Sequence, residues 1–348
     1  MIFMANQTTA AVVAAIIIIA VIAFAIGYYV KKPTPPPPGP TKVKIAFIFP
    51  GNVGDTAWNE AGYKGMLAFA AKHAGEIEYT WVQGVYDPAQ IRPQIESYIS
   101  QGYNLIVGLG FQFGKPMYDV AQNLSADQDV YFLAIAGAPQ YISSRVSVAD
   151  VRTDESGFVS GYLMIKMSQT KQVAFVAGMK VAELARSEVG QRSGIQYAGY
   201  DPDEVYHVDY VGDFHDVTKA KTETMGIIDQ YNVDVVKAMG DGCQLGAISA
   251  AKEKKVYALM SGTYHPEVYP DGVLMYEVWH WEAVYEEWYQ DYKNGNLSAN
   301  GGKLYWLSME NGGLEIVNGI TPSDLWSEVM DLVGKIKAGQ IDTGFTPE

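Results

Sequence analysis

Val43-Lys44-Ile45-Ala46-Phe47-Ile48-Phe49 is a short run of β-branched and aromatic residues and reads as a strand. A loop over 50–56 follows, and the apolar spacing after it predicts an amphipathic helix over about 57–74. The same rhythm then continues. Strands are predicted over 79–84, 104–108 and 130–136, with helices over 88–101 and 116–123 between them. Short apolar runs alternating with helical patterns imply βαβ units and a parallel sheet.

The rhythm restarts further on. Helices are predicted over 156–168, 186–199, 217–230 and 244–254, and strands over 172–177, 205–210, 233–239 and 256–261. Two successive α/β sets predict two lobes of similar build, although no clean sequence repeat relates them. In such sheets ligands bind beyond the carboxyl ends of the strands. The loops there are 50–58, 108–113, 136–140, 178–187, 212–216, 240–244 and 262–266. If the lobes face each other, these loops line one cleft.

Ahead of this domain runs an uncharged apolar stretch from Ala10 to Val30, then Pro33-Thr34-Pro35-Pro36-Pro37-Pro38-Gly39-Pro40. As a helix the run would span about 31 Å, the thickness of a bilayer core. Tyr28 and Tyr29 at its end suit the membrane interface. The prolines favour an extended, stiff spacer. The expectation is a membrane anchor over 1–32 and a stalk over 33–42. A cleaved signal peptide fits less well, because the run is long and no Lys or Arg precedes it. Lys31 and Lys32, taken alone, would stay cytoplasmic, but large domains translocate largely regardless of charge. The chain of 348 residues carries a net charge of −14, which argues against a nucleic-acid surface. Its single cysteine, Cys243, rules out an intramolecular disulfide and a cysteine-based metal site.

Several loops carry a family likeness. They are Gly51-Asn52-Val53-Gly54-Asp55-Thr56-Ala57-Trp58-Asn59, Gly108-Leu109-Gly110-Phe111-Gln112-Phe113 and Arg152-Thr153-Asp154-Glu155-Ser156-Gly157-Phe158-Val159-Ser160-Gly161. With them go Val211-Gly212-Asp213-Phe214-His215-Asp216 and Gly240-Asp241-Gly242-Cys243-Gln244-Leu245-Gly246. In order and spacing this set resembles the basic membrane lipoprotein family, substrate-binding proteins of ABC importers of the purine nucleoside receptor type. The resemblance implies a type I periplasmic-binding-protein fold, with two doubly wound parallel-sheet α/β lobes joined by a hinge. The lobes are expected to comprise 43–149 with about 263–303, and 150–262 with about 304–348. It also implies a small purine-like ligand, a membrane permease with its ATPase as partners, and a domain facing outside. Nucleoside-binding members carry aspartates near the positions of Gly137 and Gly262 and a lysine near Val278, where they hold ribose. This chain lacks them. Trp58 and Trp279-His280-Trp281 look more like the branch that binds free nucleobases.

The candidate ligand-binding residues follow from these loops. Trp58 reads as a stacking wall or as a core anchor at the helix start, and Asp55 as a helix cap or a ligand contact. One of Phe111 and Phe113 is expected in the cleft and one in the core. Glu155, at an inter-lobe crossing, is a cap or a partner for a base N–H. Asn59, Gly137, Phe214, Asp241, Tyr264, Trp279 and Trp281 complete the set. His215 between Asp213 and Asp216 invites an acid/base or metal reading. The resemblance instead makes Asp216 a helix cap, and neither a cofactor nor a metal is expected. Two other functions stay open: a receptor feeding a membrane sensor, and a nucleoside-cleaving enzyme.

Overall fold

A computed structural model describes residues 5–30 and 42–347. The chain divides into two units, 1–41 and 42–348. In the first, helix α1 runs over Ala5–Val30. Its side chains are described from 11 to 24, where Ile16, Ile19 and Phe24 are exposed. Among the described residues no helix is long and apolar enough to cross a membrane. The stalk expected over 33–42 lies outside the described residues apart from Lys42.

The second unit begins with β1 (Val43–Ile48), α2 (Trp58–Lys72), β2 (Ile77–Val82), α3 (Pro88–Ser100) and β3 (Leu105–Leu109). It continues through α4 (Gly114–Ala121), β4 (Tyr131–Ile135), β5 (Val146–Val151), α5 (Thr153–Met167) and β6 (Val173–Ala177). Next come α6 (Ala182–Tyr197), α7 (Pro202–Val205), β7 (Tyr206–Tyr210), α8 (Val217–Tyr231), β8 (Val235–Met239) and α9 (Asp241–Lys254). Then follow β9 (Tyr257–Gly262), β10 (Val273–Trp279), α10 (Glu282–Lys293), α11 (Asn296–Asn300), β11 (Leu304–Leu307), β12 (Leu314–Asn318) and α12 (Ser323–Lys337).

The strands form two six-stranded sheets, ordered β11-β5-β4-β3-β1-β2 and β12-β10-β9-β8-β6-β7. Every pairing is parallel except β10 with β12. Central strands such as β3 and β8 are buried along their whole length, as apolar runs between two helical layers must be. Local chemistry sets the helix ends. Asp87 accepts from the Ala89 N–H ahead of α3, and Asp216 accepts from the Lys219 N–H at the start of α8. The capping role expected for Asp216 is therefore seen. Helices α5 and α6 cross at backbone distance through Gly157, Gly161, Gly190 and Gly194; a Cβ at Gly194 would collide with the Phe158 carbonyl.

Two expectations need correction. Strand β5 was not foreseen, because Ser147 and Asp150 interrupt its apolar residues; both are buried, and Asp150 is neutralised by Arg186 at 2.6 Å. β10, β11 and β12 were not foreseen either, and the expected boundaries misplace the first two. β10, placed with the first lobe, lies in the second sheet between β9 and β12, and β11, placed with the second, edges the first sheet beside β5. The chain thus passes between sheets after β5, after β10 and after β11. These passages are tied together: the Arg152 N–H donates to Leu307 O at 2.8 Å and the His280 N–H to Gly313 O at 2.8 Å.

Candidate functional site

A cleft opens at the strand ends of both sheets, with about 490 Å³ not filled by protein atoms when the open solvent at its mouth is counted. Five of the seven predicted loops reach it, through Pro50, Ala57 and Trp58, through Gly110, Phe111 and Gln112, through Glu183 and Leu184, through Phe214, and through Gly240 and Asp241. Loops 136–140 and 262–266 do not line it. Tyr86, Met239 and Trp279 complete the wall.

Trp58 is the first residue of α2 and half-buried. Its indole N–H donates to Leu109 O at 3.3 Å. Its ring stands edge-on to Trp279 at 5.6 Å and to Trp281 at 5.5 Å. Such edge-to-face pairs fix ring orientation. Trp279 is itself anchored, because its indole N–H donates to Glu277 Oε1 at 2.8 Å. Glu277 Oε2 accepts from Lys237 Nζ at 2.8 Å and from Ser261 Oγ at 3.1 Å, and Lys237 Nζ also donates to Ser160 Oγ at 3.0 Å. A fully buried ion pair therefore stands directly behind one aromatic wall.

Among the expected site residues, Trp58, Phe111, Phe214, Asp241 and Trp279 line the cleft. The others lie elsewhere, each for a visible reason. Asp55 spends its carboxylate on the start of α2, accepting from the N–H groups of Ala57, Asn59 and Glu60. Asn59 is buried behind the wall; its amide donates to Asp55 at 2.7 Å and to Asp241 at 3.4 Å. Phe113 packs in the core of the first lobe, while Phe111 is exposed to the cleft, which is the division the loop suggested. Gly137 lies against Ala134 and Val148. Glu155 is buried at the crossing between lobes and accepts from the Met309 N–H at 2.7 Å; burial pushes its carboxyl up to about 7. Tyr264 is exposed beside Tyr276, and Trp281 is fully buried.

Sequence reasoning missed Tyr86 and Glu183. Tyr86 follows β2, whose strand-end loop was left out of the set. Glu183 lies inside the predicted loop 178–187, where a lone acid among apolar neighbours was the available signal. Both acids of the cleft are protonation-prone. Burial, then the charge of Asp150, pushes Glu183 up to about 8. Burial, then the charges of Asp55 and Glu183, raises Asp241 well above the usual carboxylate range. No Lys, Arg or His is among the residues lining the cleft. The arrangement can sandwich a flat apolar ring and offer carboxyl groups to its edge.

Contacts between the lobes surround the cleft. Thr263 Oγ1 donates to Thr56 O at 2.6 Å, His265 Nε2 lies 3.1 Å from the Glu60 carboxylate, and Tyr86 meets the His215 ring edge-on at 5.5 Å.

Two facing α/β lobes with a ring-lined cleft between them define a bilobed small-molecule binding protein. The chain belongs to the family of PnrA-like ABC transporter substrate-binding proteins, whose model matches residues 42–343. It is 26% identical over 264 residues to the transcriptional activator protein med of Bacillus subtilis, covering 76% of this chain and 78% of the relative. It is 22% identical over 302 residues to a purine-binding protein of Brucella abortus, covering 86% and 83%. An ABC transporter solute-binding protein of Aeropyrum pernix shares the fold with a TM-score of 0.72 at 18% identity, covering 86% of this chain and 92% of that one.

Proposed function

We propose that this is the extracytoplasmic substrate-binding protein of an ABC importer and that its ligand is a purine base or a similar flat heterocycle. The observation that carries the reading is Trp58, set edge-on to Trp279 and Trp281 and lining a cleft whose wall also includes Tyr86, Phe111 and Phe214. The relative named as a purine-binding protein supports it. The base is preferred over its ribonucleoside. Gly262 backs onto Ala57, so an acidic side chain at that sugar-holding position has no room, and neither Gly137 nor Val278 lines the cleft. On this reading the uncharged run from Ala10 to Val30 is the membrane anchor by its sequence, with the proline segment as spacer, although no helix among the described residues is long and apolar enough to cross a membrane. A permease and its ATPase take the released ligand. The test is mass spectrometry of ligand carried through purification, then calorimetry with adenine, guanine, adenosine and inosine. Tighter binding of the nucleosides would sink the base preference.

A second reading is a receptor that reports binding to a sensor, favoured by the relative named as a transcriptional activator. Crosslinking in native membranes separates the two, by recovering a permease or not. Release of free base from inosine would instead point to an enzyme.

A further inference from the structure

Glu183 and Asp241 are odd residues for an apolar cleft. Glu183 is 5% exposed and Asp241 8% exposed, and both line the space where a ligand would sit. Neither has a cation to itself. Arg186, one turn along α6 from Glu183, gives its guanidinium to Asp150 at 2.6 Å and to the Val151 carbonyl. His215 Nδ1 is 3.9 Å from Asp241, beyond hydrogen-bond reach. Among the described residues Asp241 accepts only a long bond of 3.4 Å, from Asn59. The Glu183 carboxyl has no partner on another residue among the described residues, and only its own backbone N–H lies near. Unpaired buried carboxylates are costly, so such groups hold their protons. Asp55 beside Asp241 and Asp150 beside Glu183 add negative charge and act in the same direction.

We propose that Glu183 and Asp241 read the edge of the bound heterocycle as neutral carboxylic acids. A carboxylic acid presents an O–H donor beside a C=O acceptor. That pair complements a ring edge carrying an acceptor beside an N–H, such as the amidine edge of an aminopurine or the lactam edge of an oxopurine. With no Lys, Arg or His in the lining, nothing in the cleft offsets the charge of a buried phosphate or carboxylate, so ligands bearing them are disfavoured. This inference rests on the heterocycle reading above and deepens it: the ligand class becomes an uncharged ring with a donor–acceptor edge, and its uptake becomes pH-dependent.

The test is calorimetry of the full chain in detergent with adenine, which stays neutral over the range, and with hypoxanthine and adenosine monophosphate, between pH 6 and pH 8.5. Adenine affinity is expected to fall several-fold across that range, and the monophosphate is expected not to bind. Glu183→Gln, which offers N–H and C=O at every pH, removes most of the slope. Glu183→Leu lowers adenine affinity by tenfold or more at pH 7, with melting curves checking that the variants fold. A pH-independent wild type, an affinity that rises with pH, unchanged binding by Glu183→Leu, or monophosphate binding as tight as adenine overturns the acid pair. If none of the bases binds the wild type, the heterocycle reading falls and the acid pair with it.

Discussion

Lys237→Met attacks the second lobe from inside. Lys237 and Glu277 are both 0% exposed and lie 2.8 Å apart. Removing the lysine leaves a carboxylate sealed among apolar strands, and breaking a buried pair in this way costs about 3–5 kcal/mol. That is a large share of a typical folding stability of about 5–15 kcal/mol. The damage should reach the site, because the same carboxylate accepts from the Trp279 indole N–H at 2.8 Å. The double variant Lys237→Met/Glu277→Gln removes the stranded charge and keeps an oxygen for Trp279, so about 2 kcal/mol or more should return. Urea unfolding followed by circular dichroism gives the stabilities, and tryptophan emission reports on the wall. A loss below about 1 kcal/mol for the single variant, or a double variant no better than the single, would refute the reasoning.

Trp58→Ala should weaken base binding by about 1–3 kcal/mol, the scale of one stacking face. It should also lower stability by about 2–3 kcal/mol, from two edge-to-face pairs and one hydrogen bond; unaltered binding with only a lower melting point makes Trp58 a structural residue. Phe158→Ala, at a fully buried ring, should lower stability by about 3–5 kcal/mol and leave the base affinity of the folded fraction unchanged. Burial pushes the folded Glu183 carboxyl up to about 8, from an unfolded value of about 4.3. The folded state therefore binds more protons between those values, and its stability falls as pH rises through that window. His280, raised to about 9 chiefly by Glu282, adds loss in the same direction above about 6.5. Melting temperatures at pH 6 and 8.5 should show the drop, reduced in Glu183→Gln; a rise would contradict it. Residues 43–348 should fold without the preceding segment, and a truncated chain that only aggregates would count against this.

Much of the fold was legible because its signals are local. Runs such as 43–49 and 233–239 declare buried strands by composition alone, and the Gly-rich loops declare strand ends. β5 escaped because its polar residues are satisfied from far along the chain, Asp150 by Arg186. β10, β11 and β12 were not read as strands at all, and the lobe boundaries put 273–279 and 304–307 on the wrong sides because a strand's sheet is decided by its neighbours. The site was half legible for the same reason. Trp58 and Phe111 could be read from loop position, and Asp241 from the loop likeness. Trp281 could not be separated from Trp279 without knowing which faced the core. Glu183 became informative only when the structure showed that Arg186 was already committed elsewhere.

The three passages of the chain between sheets also govern the order in which the protein can be completed. The first sheet lacks its β11 edge until residue 307 exists, and the second lacks β12 until residue 318. The first sheet therefore waits for an edge strand made after five strands of the second, and the second sheet closes last, although all but one strand of each is in place earlier. A nascent chain stopped after residue 279 would expose the bare edges of β5 and β10, the kind of unpaired edge that recruits other chains. Late closure of both lobes keeps the polypeptide unfinished until almost its end.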